Sequence, residues 1–81
     1  IHLLSNQEVS IFPNPASDLI FIEGFESLDL NFQLNSSNGR ITKKGKLADK
    51  LDLSDLPAGI YWLKIIDAKT ADFIIEKLVI N

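Results

Sequence analysis

Leu30-Asn31-Phe32-Gln33-Leu34-Asn35, followed by Ser36-Ser37-Asn38-Gly39-Arg40-Ile41, is the stretch whose pattern decides the fold. Leu30, Phe32 and Leu34 alternate with three amides. Successive side chains of an extended strand point to opposite faces, so one face is apolar and the other is wet. A helix would scatter the same residues around its circumference. Asn38-Gly39 is the strongest short hairpin signal, because both residues accept positive φ. A return strand from Arg40-Ile41 is therefore expected, with Gly45 as a bulge.

Outward from this hairpin the same kind of element recurs. Upstream, Asp18 to Glu23 is a β-rich apolar run closed by Gly24, and Val9 to Phe12 is a shorter one stopped by Pro13-Asn14-Pro15. Two prolines remove two backbone donors and fix two φ angles, so this segment reads as a rigid turn and a place to cross between sheets. Residues 1–8 read as a linker end, leaving 9–81 as the domain. Downstream, Leu51 and Leu53 alternate with Lys50 and Asp52, an edge-like strand. A helix through 46–56 is the competing assignment, disfavoured because Pro57 and Gly59 would close it early. Ser54 to Gly59 is a corner, Ile60 to Ile66 a strand, Asp67 to Ala71 a turn, and Phe73 to Ile80 the last strand.

Seven short strands with turn chemistry between them predict an all-β fold: an immunoglobulin-like, Greek-key, antiparallel β-sandwich. In such sandwiches a Tyr near the start of a late central strand bonds its hydroxyl to backbone a few residues upstream. Tyr61 occupies that place, just after the corner, and is read as structural.

The composition supports a folded domain: 81 residues, 46% hydrophobic and 23% charged, with no Cys. Disulfides and thiolate metal sites are excluded, so the apolar core must carry the stability. No apolar run reaches the length that spans a bilayer as a helix. The chain opens on Ile1 and contains no Met, which reads as a domain cut from a longer parent. The net charge of −3 weighs against nucleic acid. It is uneven: Arg40, Lys43, Lys44, Lys46 and Lys50 stand against Asp49 alone, a local +4 that leaves −7 on the rest. The basic run is read as a solvated hairpin face, with an anionic partner such as lipopolysaccharide as the alternative.

Pro13-Asn14-Pro15 after a short strand, Asn38-Gly39-Arg40 in the middle, Leu56-Pro57-Ala58-Gly59-Ile60-Tyr61-Trp62-Leu63 near the end and Lys77-Leu78-Val79 in the last strand form an ordered set. In this set the chain resembles the type A C-terminal sorting domain of the type IX (Por) secretion system of Bacteroidetes. The likeness covers about residues 9–80. It implies a non-catalytic export tag, covalently fused to an N-terminal cargo domain. The cargo would pass through the periplasm on its own signal peptide, and the outer-membrane type IX apparatus would then recognise the tag. A sortase-like protease removes the domain in many members, leaving cargo at the cell surface or outside the cell. The resemblance makes Pro13, Asn14, Pro15, Asn38, Gly39, Leu56, Ala58, Gly59 and Tyr61 structural motif positions. Lys77, Leu78, Val79 and Ile80 become the sorting signal. Members often end with further basic residues; here Ile80-Asn81 follow and Lys77 is the last charge.

Little else in the chain carries chemistry. Catalysis needs a nucleophile with a base, paired carboxylates in a cleft, or a metal. The only His is His2, within the expected linker. Asp49, Asp52 and Asp55 are three apart, whereas calcium loops place ligands two apart. No cofactor is implied, nor stable membrane insertion, and a monomer is expected. The rival function is a carbohydrate-binding module, with Trp62 as the stacking ring. With Tyr61 inward, Trp62 lies on the opposite face with Ile60, Lys64 and Ile66. A plain structural module of a secreted enzyme is the third reading. The last strand is expected to pair with Ile60–Ile66 and to offer a receptor a free edge, or a patch around Ile60, Trp62 and Leu78.

Overall fold

The computed structural model describes residues 2–4, 7–24 and 28–81. Two four-stranded antiparallel sheets face each other. The first has the order β1-β2-β3-β6, from β1 (His2–Leu4), β2 (Gln7–Phe12), β3 (Leu19–Glu23) and β6 (Lys50–Asp52). The second has the order β5-β4-β7-β8, from β4 (Leu30–Ser36), β5 (Ile41–Lys46), β7 (Gly59–Asp67) and β8 (Phe73–Ile80). The chain changes sheet three times, between β3 and β4, between β5 and β6, and between β6 and β7. β6 lies beside β3, and β7 beside β4. These interlocked crossings give the immunoglobulin-like, Greek-key connectivity expected of the sequence. The seven expected strands are β2 to β8. Residues 1–8, expected as a linker end, contribute β1, whose His2–Leu4 pairs antiparallel with Gln7–Val9. The His2 side chain lies outside the described residues.

The alternation read from the sequence sets the core. Leu30, Phe32 and Leu34 of β4, Tyr61, Leu63 and Ile65 of β7, and Leu78 and Ile80 of β8 point inward. They meet Val9, Ile20, Ile22, Leu51 and Leu53 from the first sheet in one apolar cluster. Burial of this kind contributes about 25 cal/mol per Å² of apolar surface and must hold the fold without cross-links. Gly24, at the end of β3, has φ +97°, and a Cβ there would stand 1.9 Å from the Glu8 carbonyl oxygen. The β2 backbone passes too close for any other residue.

Three local expectations are refined. The hairpin forms, with Gly39 N–H donating to Ser36 O at 2.9 Å and Ser36 N–H to Arg40 O at 2.8 Å. Only Gly39 of the Asn-Gly pair takes positive φ; Asn38 uses its side chain, accepting from Arg40 N–H. The bulge lies at Thr42, because Lys43 faces Leu34 and Ile41 faces Asn35. Gly45 stays in register opposite Phe32, where a Cβ would make only an ordinary 3.8 Å contact with that ring, and its backbone has φ +156°. Residues 46–56 form no helix: Lys50–Asp52 is strand, and a turn with Leu56 N–H donating to Leu53 O follows.

Candidate functional site

The two ends of the motif set meet in space. After Phe12 the chain leaves the first sheet, reaches over the open side of the sandwich to β8, and returns to begin β3 at Leu19. Both X-Pro bonds, Phe12-Pro13 and Asn14-Pro15, are cis. The Asn14 side chain lies along the outer edge of β8, where Nδ2 donates to Lys77 O at 2.8 Å. Its Oδ1 accepts from Val79 N–H at 3.1 Å. Ala16 N–H donates to Val79 O at 2.7 Å, and Asn81 N–H to Ala16 O at 2.8 Å. Ala16 is buried and forms a parallel bridge with Ile80. An amide side chain has one acceptor and one donor in nearly the spacing of a peptide unit. Asn14 can therefore stand in for a strand residue between two prolines that lack the donor. Sequence reasoning assigned this segment a turn and missed the clamp; an Asn held between prolines was the available signal.

β8 pairs with β7 along its whole length, from Gly59–Ile80 to Ile66–Phe73. This register divides the suspected signal. Leu78 lies opposite Tyr61 and is 0% exposed, and Ile80 is 3% exposed. Both are core. The patch expected around Ile60, Trp62 and Leu78 therefore does not form, because Leu78 has the parity of Tyr61. Lys77 and Val79 take its place, as cross-strand partners of Trp62 and Ile60.

The outward face of the second sheet is laid out in stripes. Phe73, Ile75, Lys77 and Val79 come from β8, and Ile60, Trp62, Lys64 and Ile66 from β7. Asn31, Gln33 and Asn35 form an amide stripe on β4, and Lys44 and Lys46 lie beyond it on β5. No carboxylate projects from these positions. Phe73 and Ile75 are 53% and 52% exposed, and Ile60 and Trp62 are also exposed. Lys64 Nζ sits 4.5 Å from the centre of the Phe73 ring, a cation–π contact that leaves the ring's apolar edge in solvent.

The remaining candidates are dispersed. Tyr61 is buried, and its hydroxyl donates to Pro57 O at 2.6 Å, closing the corner over 54–59. Leu56 packs on the core, whereas Pro57, Ala58 and Gly59 are exposed backbone of that corner. Asp52 accepts from Ser54 N–H at 2.9 Å, and that bond, helped by the Ser54 hydroxyl, holds its carboxyl below the usual range. Asp55 pairs with Lys43 at 3.0 Å, so neither aspartate is poised as a metal ligand, and no three metal-ligating side chains converge among the described residues. Lys46 pairs with Asp29 at 2.7 Å; the basic run is thus neutralised at two of its five cations. Trp62 has only Asn35 and Lys77 as cross-strand neighbours on its face. Sequence reasoning took it as the one plausible stacking ring, but Phe12, Phe21 and Phe73 are exposed too. Phe12 and Phe21 stack on the opposite sheet with centroids 5.8 Å apart, and Phe73 lies two rows away under Lys64. These rings share no one platform.

Residues 10–81 match the family model for the secretion system C-terminal sorting domain. No curated protein matches the sequence. The match runs from within β2 through the Asn14 clamp and the whole of the strand it clamps. The chain thus belongs to the Por secretion system C-terminal sorting domains, non-catalytic signals that send the cargo they are joined to for secretion.

Proposed function

We propose that the secretion machinery reads this domain as a folded object, on the outward side of β8. The observation that carries the reading is the Asn14 clamp, which ties the start of the domain to Lys77 and Val79. A signal that had to be read as a loose peptide would not be held on its outer edge by Asn14 and Ala16 and on its inner edge by β7. Of Lys77, Leu78, Val79 and Ile80, only Lys77 and Val79 turn outward; Leu78 and Ile80 hold the shape that presents them. Removing residues 77–81 takes both core side chains away, so truncation disrupts folding and recognition together. Outward substitutions separate the two.

In this reading the cargo, fused upstream, folds in the periplasm and is drawn through the outer membrane by the type IX apparatus. A sortase-like protease then removes the domain, and the cargo stays on the surface or is released. The test is a reporter carrying a signal peptide and residues 9–81, expressed in a host with the type IX system. The tagged reporter is expected at the surface or in the medium, and the untagged one in the periplasm. A tagged reporter that accumulates in the periplasm would refute the route. Cleavage is read on the same samples from the exported reporter's mass: loss of the domain supports the protease step, and full-length product refutes it.

A further inference from the structure

The clamp covers only half of the β8 edge; the other half makes no hydrogen bond on that side among the described residues, although β1 lies close to β8. Val79 uses both its N–H and its C=O on the side away from β7. Strand alternation gives Phe73, Ile75 and Lys77 the same direction. Lys77 O is taken by Asn14. The N–H groups of Phe73, Ile75 and Lys77 and the carbonyls of Phe73 and Ile75 have no partner among the described residues. This row spans about 13–17 Å, the length of a short strand. Natural edges are usually blunted by proline, a bulge or inward charge. Here the outward side chains are two exposed hydrophobes, Phe73 and Ile75.

The chemistry beside the open edge selects the occupant. Ile75 lies opposite Lys64 and two residues from Lys77. Neither lysine has an ion-pair partner among the described residues, and the carboxylate at the far side of this face, Asp29, is taken by Lys46. A strand laid against Phe73–Lys77 would place alternate side chains next to an apolar and a cationic row. We infer that the open half of the β8 edge accepts, by strand addition, an extended segment of the secretion machinery that alternates apolar and acidic residues on its outward face. Main-chain hydrogen bonds would supply the attachment, and Lys64 and Lys77 the preference. This rests on the reading that the machinery recognises the folded domain along β8, and it names the contact.

The edge can be closed without disturbing the sheet. Because the Ile75 N–H points away from β7, Ile75→Pro removes an edge donor and keeps the ladder, a place where strands tolerate proline. Ile75→Thr keeps the donor and serves as control, and Phe73→Pro repeats the test one pair along. Each is measured as the exported fraction of the tagged reporter, with protease resistance of the purified fusion reporting the fold. Loss of export for a folded proline variant, with Ile75→Thr exporting normally, is expected. Lys64→Glu should also lose export by repelling an acidic strand. Normal export by folded Ile75→Pro or Phe73→Pro would overturn strand addition while leaving the sorting function intact. Normal export by Lys64→Glu would overturn the acidic partner. No export by the native tag would overturn both this inference and the reading beneath it.

Discussion

Asn14 takes the place of a neighbouring strand beside Val79: its Oδ1 accepts the Val79 N–H at 3.1 Å while its Nδ2 donates to Lys77 O at 2.8 Å. Sixty-five residues separate the two in sequence. One side chain therefore satisfies an edge donor and an edge acceptor of the last strand.

Asn14→Ala is expected to destabilise the domain by about 1–2 kcal/mol, because each net hydrogen bond is worth roughly 0.5–1.5 kcal/mol. The Val79 amide should then exchange with solvent much faster while the amides of β4 stay protected. Chemical denaturation with amide exchange checks both. An unchanged Val79 exchange rate would contradict the clamp.

Tyr61→Phe keeps the buried ring and deletes its hydroxyl, leaving Pro57 O without its 2.6 Å donor. A loss of about 1–2 kcal/mol is expected by denaturant titration. A neutral substitution would show that the corner does not depend on this bond.

Asp52 links pH to the loop that follows β6. Its carboxyl is held below the ordinary value, chiefly by the Ser54 backbone N–H, then by the Ser54 hydroxyl, with slight burial opposing and Lys43 assisting. A group whose folded pKa is depressed stabilises the fold above its unfolded pKa, and that contribution disappears as pH falls through the folded one. Native protein should lose this contribution in the acid range below about pH 4. Asp52→Asn should flatten that part of the stability profile. Parallel profiles for the two proteins would contradict the assignment.

Ala71 is the only non-glycine residue with positive φ among the described residues, at +65°. It closes the β7–β8 turn, with its N–H on Asp67 O. A Cβ in the left-handed region costs roughly 1–2 kcal/mol, partly offset by the greater unfolded-state freedom of glycine. Ala71→Gly is therefore expected to stabilise the domain by about 0.5–1 kcal/mol. Thermal unfolding checks the sign.

The sheet pattern was legible because side-chain alternation is local. Leu30, Phe32 and Leu34 announced an inward face, and Tyr61 announced its corner, from neighbours within a few residues. The register between strands was not local. Placing Leu78 with Ile60 and Trp62 required the parity of β8 against β7, and only the pairing of Leu78 with Tyr61 fixes it. The bulge was assigned to Gly45, although the positive φ of that glycine, in register opposite Phe32, accounts for it without a bulge. The Asn14 clamp joins residues far apart in the chain, which no window of sequence contains. The expected patch was therefore wrong in one member: Leu78 belongs to the core, and Lys77 and Val79 stand beside Trp62 and Ile60.

The most direct test of the account is export of the tagged reporter by a Lys77→Glu/Val79→Glu variant. Both side chains turn outward, so the fold should survive, which protease resistance and unfolding temperature will establish. The native tag is expected to deliver the reporter to the surface or medium, while the folded variant leaves it in the periplasm. Equal export by native and folded variant would contradict the claim that the outward side of β8 is what the machinery reads.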